Sequence, residues 1–87
     1  MSMVPSVQYS ITIRLEAPAK NTAVSELTAI IEQAGGSVTA VDVNHSDAER
    51  VRVDLTCACT NSDHAGQIVE SLKKVQGVVV GKVSDRT

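Results

Sequence analysis

The chain has two cysteines and two histidines, and these four side chains are its candidates for nucleophilic or metal chemistry. Cys57 and Cys59 lie two residues apart in a run of alternating apolar and polar residues, so both thiols point to the inward face of a strand. We expect both to be buried and unpaired, because α-carbons two apart on a strand are about 7 Å from each other, too far for a disulfide. The alternative is a metal site formed by the two thiols and His64. The inward direction of the thiols favours their burial as core residues over this alternative.

The other candidates do not assemble into a catalytic set. His45 lies in a predicted hairpin and His64 at the start of a predicted helix, at opposite ends of the predicted sheet. They therefore cannot share a metal ion, and we expect each to be an exposed loop residue. The loop before the first helix carries Lys20 as its only cation, where a phosphatase of this topology would need an arginine-bearing anion cradle. The sequence predicts a non-catalytic fragment with no metal and no cofactor of its own.

Composition argues against several classes of partner. The net charge is -2, so no positive field attracts a phosphate backbone or an anionic membrane. Tyr9 is the single aromatic residue, which removes the stacking platform that an RNA-binding domain needs. Apolar stretches are far shorter than a membrane span, and no signal segment opens the chain. We expect a cytoplasmic protein with no nucleic-acid and no membrane partner.

Hydrophobic periods predict the elements that position these side chains. Period-two runs, typical of half-buried strands, cover residues 7–15, 38–43 and 51–59 and begin again at Val78. Helical spacing covers residues 23–34 and a second segment between a cap at Asn61 or Ser62 and a closing Gly77. The order βαββαβ predicts an α+β, ferredoxin-like sandwich, with two helices on one face of a four-stranded antiparallel sheet of order 4-1-3-2.

Residues that favour turns predict where the first helix begins and ends. Residues 16–22 break the alternation of the first strand and are expected to form a loop. Asn21 or Thr22 would cap the helix by accepting the free N–H groups of its first turn. Gly35 and Gly36 would supply the positive φ that ends it.

The second and last strands carry irregular patterns. Val38 is out of phase with the valines that follow it, which predicts a bulge near Thr39. Residues 44–49 are polar and predict a hairpin turn. The consecutive valines at 78–80 point to opposite faces, so we expect something beyond the isolated domain to cover this edge strand.

The second strand is expected at one edge of the sheet, without proline or lysine to block pairing. We predict that two copies join antiparallel along this edge as a homodimer, through Thr39, Ala40, Val41, Asp42 and Val43. The twofold axis would bring the start of this strand near the start of the first helix of the mate, where helix N–H groups and Lys20 suit a carboxylate. The predicted effector-binding residues are Lys20, Asn21, Thr22, Ala23, Gly36, Ser37 and Val38. The alternative is that the polar members only cap the helix and the glycine only ends a turn.

The segment LTAIIEQAGGSV at residues 27–38, with residues 41–43 and the segment 64–78, resembles the ACT domain, and the likeness covers residues 7–83. That resemblance implies a regulatory module that senses amino acids or other small metabolites. In that family the second strands often pair across a dimer, and effectors lie between the first loop of one subunit and the second strand of its mate.

The sequence departs from this family at one loop. Many effector-binding members have a glycine after the first strand, in a setting like Asp-x-Pro-Gly, whereas residues 16–22 here contain none. Asn21 is the residue able to adopt the left-handed conformation in its place. The missing glycine and the doubly apolar last strand favour an alternative function, a structural dimerisation module with no effector.

Both termini resemble the N-terminal extension of bacterial NAD-dependent malic enzymes. The likeness rests on VPSVQYSIT at residues 4–12 and VGKVSDRT at residues 80–87. It implies a leader at residues 1–6, a regulatory domain at 7–83 and, at 84–87, the start of a linker to a missing catalytic region. NAD and a divalent metal would belong to that region, which would be a further partner of this domain.

Overall fold

The computed structural model describes residues 9–20 and 22–85. The elements, in order, are β1 (Tyr9–Pro18), α1 (Ala23–Gln33), β2 (Ser37–Ser46), β3 (Arg50–Cys59), α2 (Ser62–Lys73) and β4 (Val79–Asp85). The predicted leader, Val7, Asn21 and residues 86–87 of the predicted linker lie outside the described residues.

The sheet has the predicted topology. Its order is β2-β3-β1-β4, and every neighbouring pair is antiparallel. The central pair, β1 and β3, runs in register from Tyr9 opposite Cys59 to Pro18 opposite Arg50. The βαββαβ ferredoxin-like prediction is confirmed.

One hydrophobic core lies between the sheet and the helices. Alternate residues of β1 and β3 enter it because side chains on a strand point to opposite faces in turn. The apolar stripes of both helices join the same cluster, which includes Leu27 of α1 and Ile68 of α2. Cys57 and Cys59 are free and expose 0% and 7% of their surface, so the prediction that both belong to the core is confirmed.

A glycine turn ends α1 and leads into β2. Gly35 has φ +94°, and its N–H donates to the Glu32 carbonyl at 3.0 Å. The Gly36 N–H donates to the Ile31 carbonyl at 3.0 Å, which completes a Schellman motif. The prediction that these glycines end the helix is confirmed, although only Gly35 has positive φ. Gly36 serves close packing, since an added Cβ would lie 2.8 Å from the Ile68 Cδ1 atom.

The first strand is longer than predicted. It continues through Ala17, which is buried, to Pro18, which lies opposite Arg50. Ala17 keeps the inward phase of the strand, and a proline is tolerated at the last strand position because little pairing is lost there. The predicted loop at residues 16–22 is therefore shorter.

The second strand contains the predicted bulge. The β2–β3 register shifts between Val38 and Ala40, so Thr39 is the extra residue. A second shift, between Val43 and His45, carries the strand on to Ser46, beyond the predicted end at Val43.

The hairpin between β2 and β3 is consequently tighter than the predicted turn at residues 44–49. The Asp47 carboxylate closes it by accepting the backbone N–H groups of Glu49 and Arg50, both at 2.8 Å. These hydrogen bonds lower the pKa of Asp47.

The two helices begin differently. Asn61 caps α2 as predicted, since its side chain accepts the His64 N–H at 2.8 Å. Thr22 occupies the N-cap of α1, but its side chain caps no N–H. Its hydroxyl donates instead to the Glu26 carboxylate at 2.8 Å. Of the two predicted caps, Thr22 is therefore wrong, and Asn21 lies outside the described residues.

The connection from α2 to β4 also differs from prediction. The helix ends at Lys73, four residues before Gly77, which has φ +86° and packs against Pro18. The last strand begins at Val79, one residue later than predicted.

Candidate functional site

The outer edge of β2 is the first part of the candidate site. Within the described residues, β2 pairs with β3 alone and no strand covers its other edge. The strand lacks the lysines and prolines that commonly block edge pairing. Its backbone N–H and C=O groups are therefore available to another strand.

The Thr39 bulge gives this edge an apolar side. Val38, Val41 and Val43 lie opposite Cys57, Leu55 and Val53 of β3, whose side chains point into the core. Cross-strand partners share a face of the sheet, so these valines lie on the side that the helices occupy. Val41 and Val43 nevertheless expose 39% and 53% of their surface. Together with the open edge they form a surface able to pair with a strand and bury valine side chains.

The predicted effector residues fall into two groups at opposite ends of the sheet. Ser37 lies opposite Ala58, near the end where Tyr9 begins β1. Lys20 follows the other end of β1, where Pro18 lies opposite Arg50. Ten-residue strands separate the two ends by about 30 Å, so one chain does not bring the groups together.

The helix end of the candidate site has an internal carboxylate. Glu26 accepts the Thr22 hydroxyl at 2.8 Å and lies 3.2 Å from the Lys20 ammonium. The Thr22 hydrogen bond, followed by the one from Lys20, lowers the pKa of Glu26. The Lys20 ammonium and the Thr22 hydroxyl are hydrogen-bond donors of the kind that bind carboxylates.

The sequence reasoning missed Glu26. The signal that would have revealed it is its position four residues after Thr22, which places both on one face of a helical turn. Of the other predicted residues at this end, Ala23 is buried at 6% exposure and Asn21 lies outside the described residues.

The strand end of the candidate site is formed by three consecutive residues. Gly36 is buried, Ser37 is exposed and Val38 is half-buried against the core. Ser37 is thus the residue of this group whose side chain is available to a ligand.

The nucleophile and metal candidates play no part in this site. Burial raises the pKa of Cys57 to about 11 and raises that of Cys59. Both thiols are therefore protonated at neutral pH. The part of the chain that the structure describes holds no cluster of three or more His, Cys, Asp or Glu residues suited to a metal ion.

The two histidines differ from each other. His45 is exposed, as predicted, but it lies in strand β2 and not in the hairpin turn, and it is 3.3 Å from the Asp47 carboxylate. His64 was also expected to be exposed but is half-buried, because both of its ring nitrogens contact backbone groups. They lie toward opposite ends of the sheet, as the topology predicted, since His45 pairs with Arg52 and His64 follows the far end of β3.

The described residues form a ferredoxin-like sandwich whose second strand pairs on one side only. Residues 5–80 match the family model of the ACT domain. The chain belongs to the ACT domain family, whose members are regulatory modules.

The chain is similar to a much longer enzyme and to several solved structures. An NAD-dependent malic enzyme from Geobacillus stearothermophilus is 33% identical over 87 residues, which is 100% of this chain and 18% of that protein. The chain therefore spans less than a fifth of the length of this relative.

Solved structures agree on the fold. The ACT domain from GTP pyrophosphokinase of Chlorobium tepidum matches with a TM-score of 0.69 at 23% identity, covering 90% of this chain and 97% of that chain. The regulatory subunit of aspartate kinase from Thermus thermophilus, in a ligand-free form, matches with a TM-score of 0.63 at 13% identity, covering 93% of this chain and 52% of that chain. Neither helix in the described residues has the length and apolar character needed to cross a membrane.

Proposed function

We propose that this ACT domain is a small-molecule sensor that works as a homodimer and controls an attached NAD-dependent malic enzyme in the cytoplasm. Its effector would be an amino acid or a related metabolite with a carboxylate. The observation that carries the proposal is the open β2 edge with its exposed valines. The NAD and divalent-metal chemistry would belong to the catalytic partner, to which the malic enzyme relative points.

The dimer follows from the edge. Antiparallel pairing of two β2 strands would extend the sheet from four strands to eight and cover the exposed surfaces of Val41 and Val43. Hydrophobic burial and new backbone hydrogen bonds would both favour this association.

The effector crevice follows from the dimer. In antiparallel pairing, the Ser37 end of one β2 strand lies beside the opposite end of its mate, which is the end of the sheet where Lys20 begins the approach to α1. The two groups of predicted residues would then face each other across the twofold axis. An effector carboxylate would take the place of the Glu26 carboxylate beside Lys20 and Thr22.

Effector binding would control the attached enzyme if the catalytic region adopts two states and the crevice binds the effector more tightly in one of them. An effector that binds one state better shifts the population toward it, by no more than its differential affinity.

Calorimetric titration of the folded dimer with the common amino acids and central-pathway acids tests sensing. A saturable heat is expected for at least one carboxylate ligand. Lys20→Gln is expected to weaken that binding about fivefold, as one exposed charge-assisted hydrogen bond contributes. Lys82→Gln, in an exposed lysine of β4, is the matched control and should leave the affinity unchanged. Flat heats with every ligand would reject sensing.

Sedimentation tests the dimer. Val41→Lys would place two like charges near the twofold axis and is expected to convert the dimer to a monomer at micromolar concentration. Val79→Lys, in an exposed valine of the other edge strand, is the control and should remain dimeric. A wild-type chain that stays monomeric at high concentration, or a Val41→Lys variant that stays dimeric, would refute β2 pairing.

A second candidate function is a purely structural dimerisation module of the same enzyme. The observation that favours it is the internal Glu26 carboxylate, which already engages Lys20 and Thr22. A stable dimer that gives flat heats with every ligand would support this candidate over the sensor.

A further inference from the structure

A small cavity opens beside the charged pair at the start of α1. Lys20 and Glu26 line it and are exposed, so they lie at its mouth. Ala17 of β1 and the α1 residues Ala23 and Leu27 also line it and are buried. The cavity therefore runs from the charged surface toward the core. Its volume is about 20 Å³, which is room for one group of the size of a water molecule or a methyl group.

The far wall of the cavity belongs to the connection between α2 and β4. Val75 and Val78 of this connection line the cavity and are half-buried. The Val78 N–H donates to the Val75 carbonyl at 3.2 Å, which fixes the two valines relative to each other. An apolar group that enters such a cavity leaves water and gains contacts with the wall. A short apolar side chain fits this space, whereas a longer one would have to displace the valines.

The pair at the mouth supplies two charges of opposite sign. The Lys20 ammonium lies 3.2 Å from the Glu26 carboxylate, which also accepts the Thr22 hydroxyl at 2.8 Å. A ligand carboxylate that binds Lys20 and Thr22 in its place leaves the Glu26 carboxylate without either of these partners. An ammonium group on the same ligand would give Glu26 a new partner, whereas a second carboxylate would be repelled by it.

We propose that the effector is a small α-amino acid whose side chain, of one or two carbon atoms, enters this cavity. Its carboxylate binds Lys20 and Thr22, and its ammonium group binds Glu26. Both charges of an α-amino acid are attached to one carbon atom, so both lie at the mouth when the side chain points inward. The inference rests on the proposed sensor function and adds a choice among carboxylate ligands, since it favours amino acids over dicarboxylic acids and small side chains over large ones.

Calorimetric titration of the wild-type chain with alanine, leucine and propionate tests this choice. Alanine should bind most tightly, and leucine should bind at least about tenfold more weakly because its side chain exceeds the cavity. Propionate, which is alanine without the ammonium group, should bind at least about fivefold more weakly than alanine. Binding without this order would overturn the inference and leave sensing intact, whereas flat heats with every ligand would reject both.

Enlarging the cavity should change its size preference. Val75→Ala removes two methyl groups from the wall and is expected to strengthen leucine binding about tenfold or more, with little change for alanine. Val80→Ala is the matched control, because it truncates a half-buried valine of β4 that does not line the cavity. The same ratio of leucine to alanine affinity in both variants would show that the side chain binds elsewhere.

Removing the charge of Glu26 should affect the two kinds of ligand in opposite directions. Glu26→Gln is expected to weaken alanine binding about fivefold, because the ammonium group loses its partner. The same variant should strengthen propionate binding, because a neutral amide competes less for Lys20. Glu70→Gln is the matched control, since Glu70 is an exposed helical glutamate that lies 3.5 Å from Lys73, and it should change neither affinity. If Glu26→Gln moved both affinities in the same direction, or moved neither, the inference would be wrong.

Discussion

Replacing Gly36 by alanine tests the packing at the start of β2. The new Cβ would lie 2.8 Å from Ile68 Cδ1 and 3.0 Å from Ile31 Cγ2, and both isoleucines are 0% exposed. Carbon atoms prefer separations of about 3.5 Å or more, so one or both side chains must shift within the core. Such overpacking costs about 1–3 kcal/mol.

Two effects set the net change. The φ of Gly36 is not positive, so alanine is allowed there. Alanine also reduces the conformational entropy of the unfolded chain, which by itself raises the free energy of unfolding by about 0.4–1 kcal/mol. The expected result is a free energy of unfolding lower by about 1 kcal/mol, which corresponds to a melting temperature lower by roughly 4–8 °C. Gly66→Ala is the matched control. Gly66 lies within α2, and apart from its chain neighbours and the backbone of its own helix no atom lies within 4 Å of the added Cβ, so this variant should be more stable by about 0.5–1 kcal/mol.

Urea denaturation followed by circular dichroism measures both variants against the wild type. The two midpoints should move in opposite directions while the slope stays constant. If Gly36→Ala were as stable as Gly66→Ala, Gly36 would not be held between the two isoleucines as described, and the reasoning would fail.

Two further predictions concern groups with shifted pKa values. Burial raises the pKa of Cys57 to about 11, so alkylation by iodoacetamide at pH 8 should be at least about 100-fold slower in the folded chain than in urea. Rapid labelling without unfolding would contradict it. Asp47 has a lowered pKa because it accepts the backbone N–H groups of Arg50 and Glu49, so its contribution to stability is present above about pH 4 and is lost as pH falls below that value. Asp47→Asn should therefore flatten the fall in urea midpoint between pH 5 and pH 3, and an unchanged fall would refute this role.

The regular elements were predictable because their signals are local. Strict alternation in β1 and β3 fixes which side chains enter the core, so the burial of Cys57 and Cys59 followed from parity alone. The out-of-phase Val38 identified the bulge at Thr39 for the same reason. A break in an otherwise regular period is itself a structural signal.

The predictions that the structure corrects concern residues whose positions depend on contacts between different helices and strands. Ala17 extends β1, but an alanine carries too little hydrophobic signal to mark a strand end. The Thr22 hydroxyl donates to the Glu26 carboxylate and does not accept from the N–H groups of the helix. Residue types alone do not show which of these two hydrogen bonds forms. His64 becomes half-buried because α1 ends beside it, 30 residues away in sequence. The predicted crevice depends on a second chain, and no pattern within a single sequence shows where that chain lies.

The extra residue at Thr39 also restricts which strands the β2 edge can accept. A flat, uniform edge permits a neighbour to slide by two residues and keep its pattern, which invites indiscriminate association. A bulge interrupts the even spacing of donors and acceptors and increases the local twist, so few alignments satisfy the whole strand. The bulge therefore disfavours continuous pairing of the β2 edge with unrelated strands, which lowers the tendency of an exposed edge to aggregate.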